Sequence, residues 1–326
     1  MKTDLFFRNF VIGLSVMAAC SCSGNLEPEP EITQSKVRLT VVVPVTETKL
    51  TGGADEGRIN NYQVYIFDNG GVLESYANQS SPDIELDCAA GNKTIAVLTN
   101  APAINDVTTL SALSSKTSLL SDNNGSSFIM AGQQSVAVSA DKEVTVTVSR
   151  LVSKIKLSSL QVAFEAPQYR SMSFKVAAVY LINVPADTRY FSNISPSVWY
   201  NKQKYMSSDA NTLIYDDMKS TAVSTSSPYS TVNTLYCYPN PTSQDSFSQT
   251  WSARHTRLVV EAYLGSTKYY YPVTLPELEK NKVYDVKLTI TRPGTSNPDD
   301  EVDKYAADFS ITVKAWETGA SVTEEI

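Results

Sequence analysis

The sequence predicts an all-β protein with few short helices. Strand-like runs, in which β-branched and apolar residues alternate with polar ones, recur along the chain. Many segments between them carry Asn, Asp and Gly, the residues of tight turns. No amphipathic helices alternate with the strands, as a doubly wound α/β sheet requires. Since the chain has 326 residues, 42% of them hydrophobic, we expect two stacked β-sandwich domains built from short antiparallel strands.

The predicted elements follow from these patterns in chain order. Strands are predicted over residues 37–45, 62–67, 94–98, 135–148, 155–160, 173–182, 257–263, 269–273, 283–291 and 309–313. Asp106 is placed to cap a short helix that includes Leu110 and Leu113, and residues 276–280 are typical of a single helical turn. One strand-rich block ends near Arg150, so we predict the domain boundary there.

The N-terminus has the layout of a secretory signal. A positively charged flank precedes the uncharged residues 11–19, a run shorter than the roughly 20 residues that span a bilayer. Residues 17–20, Met-Ala-Ala-Cys, resemble a bacterial lipobox, whose cysteine is diacylated and becomes the mature N-terminus. This pattern predicts lipidation of Cys20, with Cys22 as the alternative. The acidic, proline-containing residues 25–31 would then form a tether from the membrane surface.

Composition argues against several classes of function. The chain carries 27 Lys and Arg against 34 Asp and Glu, a net charge of −7, so we expect no nucleic-acid partner. His255 is the single histidine, and we interpret it as a surface or strand-edge residue. We therefore expect no enzyme, no cofactor and no metal site. Cys88 and Cys237 are predicted to be buried free thiols, with a disulfide between them as the alternative.

Two strands at the ends of the mature chain have unusually regular alternation. One apolar face of the first strand consists of Val37, Leu39, Val41, Val43 and Val45. The corresponding face of the last consists of Phe309, Ile311, Val313 and Ala315. Each pattern is typical of a half-buried strand, and each strand could complete its own sheet. Turn formers and acids over residues 292–301 predict a hinge before the last strand, and the acids Asp299, Asp300, Glu301 and Asp303 are interpreted as solvated.

Two segments resemble signatures of the major fimbrial subunits, the fimbrillins, that build type V pili in Bacteroidia. They are residues 283–298, VYDVKLTITRPGTSNP, and residues 86–100, LDCAAGNKTIAVLTN. The lipobox, the acidic tether and the Val-rich first strand are also similar to that family. The resemblance covers nearly the whole chain, although residues 197–250 do not align.

The resemblance implies a fold and a mode of assembly. Its members have two transthyretin-like β-sandwich domains, are exported as lipoproteins, and are cut by a trypsin-like protease after a basic residue just beyond the first strand. The C-terminal strand of another subunit then fills the vacated groove. By position the cut follows Lys49, where the family often has Arg, and Arg58 is the alternative. The implied division is a signal peptide (1–19), a lipidated propeptide (20–49), an N-terminal domain (50–150), and a C-terminal domain (151–326) whose hinge and donor strand cover about 292–326.

The sequence therefore predicts a structural subunit of a fimbrial shaft that supports adhesion. Its expected partners are other copies of itself and related pilins, the outer membrane through the precursor lipid, a processing protease, and a host or bacterial surface ligand. One alternative is a surface-anchored carbohydrate-binding lipoprotein that does not polymerise, since the chain has 18 tyrosines. Another is an anchor or tip subunit of such a pilus. The presence of both Lys49 and the Phe309 strand favours a shaft subunit.

Overall fold

The computed structural model describes residues 36–44, 56–206, 212–243, 250–300 and 307–316, all within one compact unit from Ser35 to Ile326. These residues form strands with two short α-helices and one 3-10 turn, which confirms the predicted all-β fold class. The division into two domains stays a prediction.

The first half of the described chain builds two facing sheets. Its elements are β1 (Lys36–Val42), β2 (Tyr62–Phe67), β3 (Leu73–Gln79), β4 (Ile84–Ala89), β5 (Gly91–Thr99), α1 (Leu110–Ser115), β6 (Thr117–Leu119), a 3-10 turn (Leu120–Asp122), β7 (Met130–Val138), β8 (Lys142–Thr145) and β9 (Ser149–Arg150). One sheet has the order β4-β1-β8 and the other the order β3-β2-β5-β7-β9. Alternate apolar residues of the two sheets pack into a shared core, as in a β-sandwich.

The second half repeats this arrangement with two four-stranded sheets. Its elements are β10 (Ser153–Val162), α2 (Pro167–Arg170), β11 (Phe174–Ile182), β12 (Val184–Pro185), β13 (Asp187–Arg189), β14 (Trp199–Tyr200), β15 (Tyr215–Ala222), β16 (Asn233–Cys237), β17 (Arg257–Leu264), β18 (Thr267–Thr274), β19 (Lys282–Ile290) and β20 (Ala307–Ala315). The sheet orders are β16-β10-β19-β20 and β15-β11-β17-β18. Their core continues into the first half through residues such as Phe128, and β13 pairs with β6.

Two features of the strands differ from the sequence-based expectation. Residues 135–148 are not one strand, because bends at 139–141 separate β7 from β8, and the two strands belong to different sheets. The pairs β1–β8 and β10–β19 are parallel rather than antiparallel. Alternation reports which face of a strand is buried, and it carries no information on the direction of the neighbouring strand.

The predicted helices are corrected in two places. Thr109, not Asp106, caps α1: its Oγ1 accepts the backbone N–H of Ala112 at 3.1 Å, while Asp106 pairs with Lys116 at 2.6 Å. Residues 276–280 form no helix. Their backbone groups are satisfied elsewhere, since the Tyr284 hydroxyl accepts from the N–H of Glu279 and donates to the carbonyl of Glu277.

The two cysteines of the body are buried thiols. Cys88 and Cys237 are both free and buried, as predicted. Burial raises the pKa of each thiol, so both stay protonated and unreactive near neutral pH.

Lys280 is a partly buried amine with a shifted pKa. Its Nζ donates to the carbonyls of Arg189 and Ser192 at 2.8 and 3.0 Å, and burial lowers its pKa to about 8. In the unfolded chain the pKa returns to about 10.4. Between these values the unfolded state binds more protons than the folded state, so the free energy of unfolding contributed by this group rises with pH.

We expect Lys280→Met to remove this rise. Urea unfolding of the parent and the variant at several pH values between about 8 and 10 measures the difference between their slopes. Lys282→Met, at the start of β19, is the control and should run parallel to the parent. Two parallel curves for the parent and Lys280→Met would contradict the assignment.

Candidate functional site at the two terminal strands

The first strand, β1, lies in the middle of its sheet. It pairs with β4 from Lys36↔Ala89 to Val41↔Ile84, and with β8 from Leu39↔Lys142 to Val42↔Thr145. The apolar row predicted from the sequence is buried at Val37, Leu39, Val41 and Val43, each at most 4% exposed. Val45, the last residue of that row, lies outside the described residues.

The apolar row of β1 covers part of the N-terminal core. It packs in one cluster with Val64 and Ile66 of β2 and with Ile95 and Val97 of β5. Because β1 separates β4 from β8, its removal would leave an unpaired edge on each of these strands and would uncover this part of the core. The space occupied by β1 is therefore an apolar groove with two hydrogen-bonding walls.

The last strand, β20, lies at the edge of its sheet. It pairs with β19 from Ala307↔Ile290 to Ala315↔Lys282. Its residues Phe309 and Val313 stand opposite Leu288 and Tyr284, which are buried core residues.

The predicted half-burial of β20 is wrong for most of its apolar row. Phe309 is 51% and Val313 48% exposed, Ala315 is exposed, and Ile311 alone among the four is partly buried against the core. The row is on the face of the sheet that points to the core, but the opposite sheet does not extend far enough to cover it. β20 is thus fully hydrogen-bonded on one edge while Phe309, Val313 and Ala315 remain exposed.

Trp316 anchors the end of β20. This residue is 6% exposed and its ring stacks on Tyr236, with centroids 5.8 Å apart, and meets Phe128 edge-on at 5.6 Å. The Arg150 guanidinium lies 4.5 Å and the Lys154 ammonium 5.2 Å from the ring centroid. Such cation–π contacts favour an aromatic ring at this position.

Glu56 joins the same cluster from the N-terminal side. Its carboxylate accepts from Lys154 Nζ at 2.6 and 2.7 Å and from the hydroxyl of Tyr236, and its carbonyl accepts from Arg150 Nε at 3.2 Å. The residues that hold Trp316 therefore also hold the chain that follows residues 45–55. Lys49, the predicted cleavage position, and Cys20 and Cys22, the predicted lipidation positions, lie outside the described residues.

The predicted hinge before β20 is clamped at one point. Asp299 is only 7% exposed, which corrects the expectation that the acids of this segment are all solvated. Its carboxylate pairs with Arg254 Nη1 at 2.8 Å and Arg257 Nη1 at 3.1 Å, and accepts from Asn183 Nδ2 at 3.0 Å. Both guanidinium groups are buried, and a buried cation needs a counter-charge. Asp300 is exposed, while Glu301 and Asp303 lie outside the described residues.

Two other predicted positions can be placed. Arg58, the alternative cleavage position, is exposed, but its backbone carbonyl accepts a hydrogen bond from Asn100 Nδ2 at 2.8 Å. His255 is half-buried two residues before β17 begins, and in sequence it lies between the two arginines that bind Asp299. The sequence analysis did not assign a role to Arg254 and Arg257. The only signal in the sequence was the presence of two arginines close to the start of a predicted strand.

The described residues contain no group of three or more His, Cys, Asp and Glu side chains that could hold a metal ion. Among the same residues, none of the helices has both the length and the apolar character needed to cross a bilayer.

Comparison with known proteins confirms the predicted resemblance. Residues 36–158 match the model of the major fimbrial subunit protein (FimA) family. The chain is 20% identical to the major fimbrium subunit FimA type-2 of Porphyromonas gingivalis, over 97% of this chain and 98% of that protein.

Solved structures share the fold. A putative cell adhesion protein from Bacteroides eggerthii superimposes with a TM-score of 0.66 at 20% identity, covering 86% of this chain and 96% of that one. A fimbrilin (FimA) from Porphyromonas gingivalis gives a TM-score of 0.60 at 17% identity, covering 87% and 99%. At these identities the likeness establishes the fold alone.

Proposed function

We propose that this chain, a relative of the major fimbrial subunits, is a structural subunit of a fimbrial shaft. It is exported as a lipid-anchored precursor, loses its first strand by proteolysis, and polymerises when the C-terminal strand of one copy fills the vacated groove of another. Its partners are then other copies of itself and related pilins, and its final location is the cell surface.

The observation that carries this proposal is the contrast between the two terminal strands. β1 buries an apolar row at a period of two inside a groove, whereas β20 leaves most of a row of the same period, including Phe309 and Val313, exposed to solvent. A protein that kept both strands in place for its own stability would gain nothing from exposing Phe309 and Val313. An exposed apolar strand beside a removable buried one is the arrangement that strand exchange needs.

The energetics favour a durable joint. Each apolar side chain of β20 that moves from solvent into the groove stabilises the complex by about 1.5–3 kcal/mol at most. The open edges of β4 and β8 would supply backbone hydrogen bonds along the same strand. A joint with both contributions dissociates slowly.

The surroundings of Arg58 make it a poor processing position, and this favours Lys49. The backbone at Arg58 is tied to Asn100, since Asn100 Nδ2 donates to the carbonyl of Arg58 and Asn100 Oδ1 accepts the N–H of Asn60 at 2.8 Å. A protease cleaves most readily where the backbone is exposed and is not held by such hydrogen bonds. A cut after Lys49 would leave Glu56 bound to Lys154 and would leave β1 held only by non-covalent contacts.

Cys20 is the proposed lipid attachment position, with Cys22 as the alternative. Two acyl chains hold a protein stably at a membrane, whereas one chain binds only reversibly. Diacylation of Cys20 would keep the precursor at the outer membrane until a protease removes residues 20–49 together with the lipid.

Terminal mass spectrometry of the membrane precursor and of surface filaments tests this sequence of events. We expect an acylated Cys20 in the precursor and Leu50 as the first residue in filaments. Lys49→Gln should block processing and filament formation, because a trypsin-like protease requires a basic residue. Arg58→Gln is the matched control and should be processed normally.

The alternatives give different outcomes. Filaments that keep acylated Cys20 on most of their subunits would contradict cleavage before assembly. A chain that keeps β1 and occurs once per filament would be an anchor, and cells with no filaments would favour the surface-anchored carbohydrate-binding lipoprotein.

A further inference from the structure

A cleft of about 760 Å³ lies on the outer face of the β15-β11-β17-β18 sheet, away from both terminal strands. This volume is within the range of small-molecule sites. Tyrosine and charged residues make up most of its lining. The residues used below are Ala178, Tyr180, Lys204, Tyr205, Tyr215, Asp217, Lys219, Glu261, Lys268 and Tyr270.

The floor of the cleft is set by strand register. Asp217, Ala178, Glu261 and Tyr270 are direct neighbours across the four strands. The small Ala178 side chain leaves a depression between the two acids, and the register of β11 shifts beside it at Ala177. Since adjacent strands lie about 4.8 Å apart, the two acidic residues are anchored roughly 10 Å apart on either side of this depression.

Aromatic rings form one wall. Tyr205 and Tyr215 stack with centroids 4.6 Å apart and planes at 20°, and both pack on the buried ring of Tyr180, at 5.0 and 6.2 Å. Tyr205 and Tyr215 are half-buried, so part of each ring remains open to the cleft. Burial, together with the nearby Glu261 carboxylate, raises the pKa of Tyr180, and its hydroxyl stays a donor at neutral pH.

The charges around the cleft nearly balance. Glu261 pairs with Lys268 at 2.6 Å, and the remaining charged lining residues used here are Asp217, Lys204 and Lys219. A polyanion would meet two carboxylates, and a cation would meet three ammonium groups. A neutral ligand with many hydroxyl groups fits better, because carboxylates accept from hydroxyls, ammonium groups donate to them, and Tyr rings pack against the C–H face of a sugar.

We propose that this cleft binds a neutral oligosaccharide, with one sugar ring packed on Tyr205 and Tyr215 and its hydroxyls bonded to Asp217 and Glu261. The floor and the aromatic wall belong to β11, β15, β17, β18 and residue 205, which strand exchange leaves in place, while Ser296, Asn297 and Pro298 of the hinge line the remaining edge of the cleft.

A panel of immobilised glycans tests the proposal with the purified full chain. The panel contains neutral glycans ending in glucose, galactose, mannose or N-acetylhexosamine, and sialylated and sulfated glycans. We expect binding to at least one neutral glycan, and about tenfold weaker binding for Tyr205→Ala, while Tyr205→Phe keeps most of the affinity because the ring remains. Tyr169→Ala, in α2 and outside the cleft, is the matched control and should bind like the parent.

The result can overturn the proposal in three ways. These are binding to no neutral glycan, binding to the acidic glycans alone, and unchanged binding after Tyr205→Ala and Glu261→Gln. Thermal melting of each variant identifies any that fails to fold, and Glu261→Gln serves as the second probe of the site. Filament formation is scored separately. A failure of glycan binding therefore leaves the shaft proposal intact, and a failure to form filaments leaves the glycan proposal intact.

Discussion

Replacing both Phe309 and Val313 by aspartate is expected to abolish filament assembly while leaving the folded monomer nearly unchanged. In the monomer both side chains are about half exposed, so we expect a change in the free energy of unfolding of no more than about 0.5 kcal/mol per site. In the groove each carboxylate would be buried without a partner, which costs several kcal/mol. Electron microscopy of filaments and urea unfolding of the monomer measure the two effects.

Controls come from the opposite face of the same strand. Ser310→Asp and Thr312→Asp add the same charge where the side chains point away from the apolar row, and assembly should survive. Ile311→Asp is a poorer probe, because Ile311 also packs on its own core and the monomer would lose stability. Normal filaments from the double variant would show that β20 is not the donor.

Asp299→Ala should give the largest loss of monomer stability among the substitutions considered. It leaves the buried guanidinium groups of Arg254 and Arg257 without their shared carboxylate, and breaking a buried pair in this way costs about 3–5 kcal/mol. Urea unfolding measures the loss.

Two further variants separate charge from position. Asp299→Asn keeps hydrogen-bonding atoms but removes the charge, and we expect an intermediate loss. Asp300→Ala changes the exposed neighbour and should have little effect. If Asp299→Ala unfolded at the same urea concentration as Asp300→Ala, the clamp would have no energetic role.

The ranges predicted from strong alternation overlap about half of the strands in the described residues. Residues 62–67 match β2, the predicted strand at 173–182 begins one residue before β11, and the predicted strand at 283–291 is shifted by one residue relative to β19. β3 and β15 were missed because they have little apolar alternation: no residue of β3 is fully buried and Met218 alone is buried in β15. The signal that sequence patterns detect is the contrast between two faces, which these strands lack.

The contrast between the two faces of a strand also made part of the candidate site predictable. The apolar rows of β1 and β20 follow from a period of two, but the pattern does not say whether another layer covers the row. That difference separates buried Leu39 from exposed Phe309. Asp299 was misjudged because its partners, Arg254 and Arg257, lie more than forty residues away in sequence and local composition suggested a solvated turn.

The separate positions of β1 and β20 have a consequence for the symmetry of any assembly built by exchange. The groove belongs to the β4-β1-β8 sheet and the donor to a different sheet, so the two contacting surfaces are unlike and the interface is heterologous. Repeating such an interface without closure gives a fibre with direction. One terminal subunit has a groove that no neighbour has filled, and at the other end a subunit keeps β20 on its own β19. The fibre therefore has chemically different ends, and a new subunit joins the two ends by different reactions.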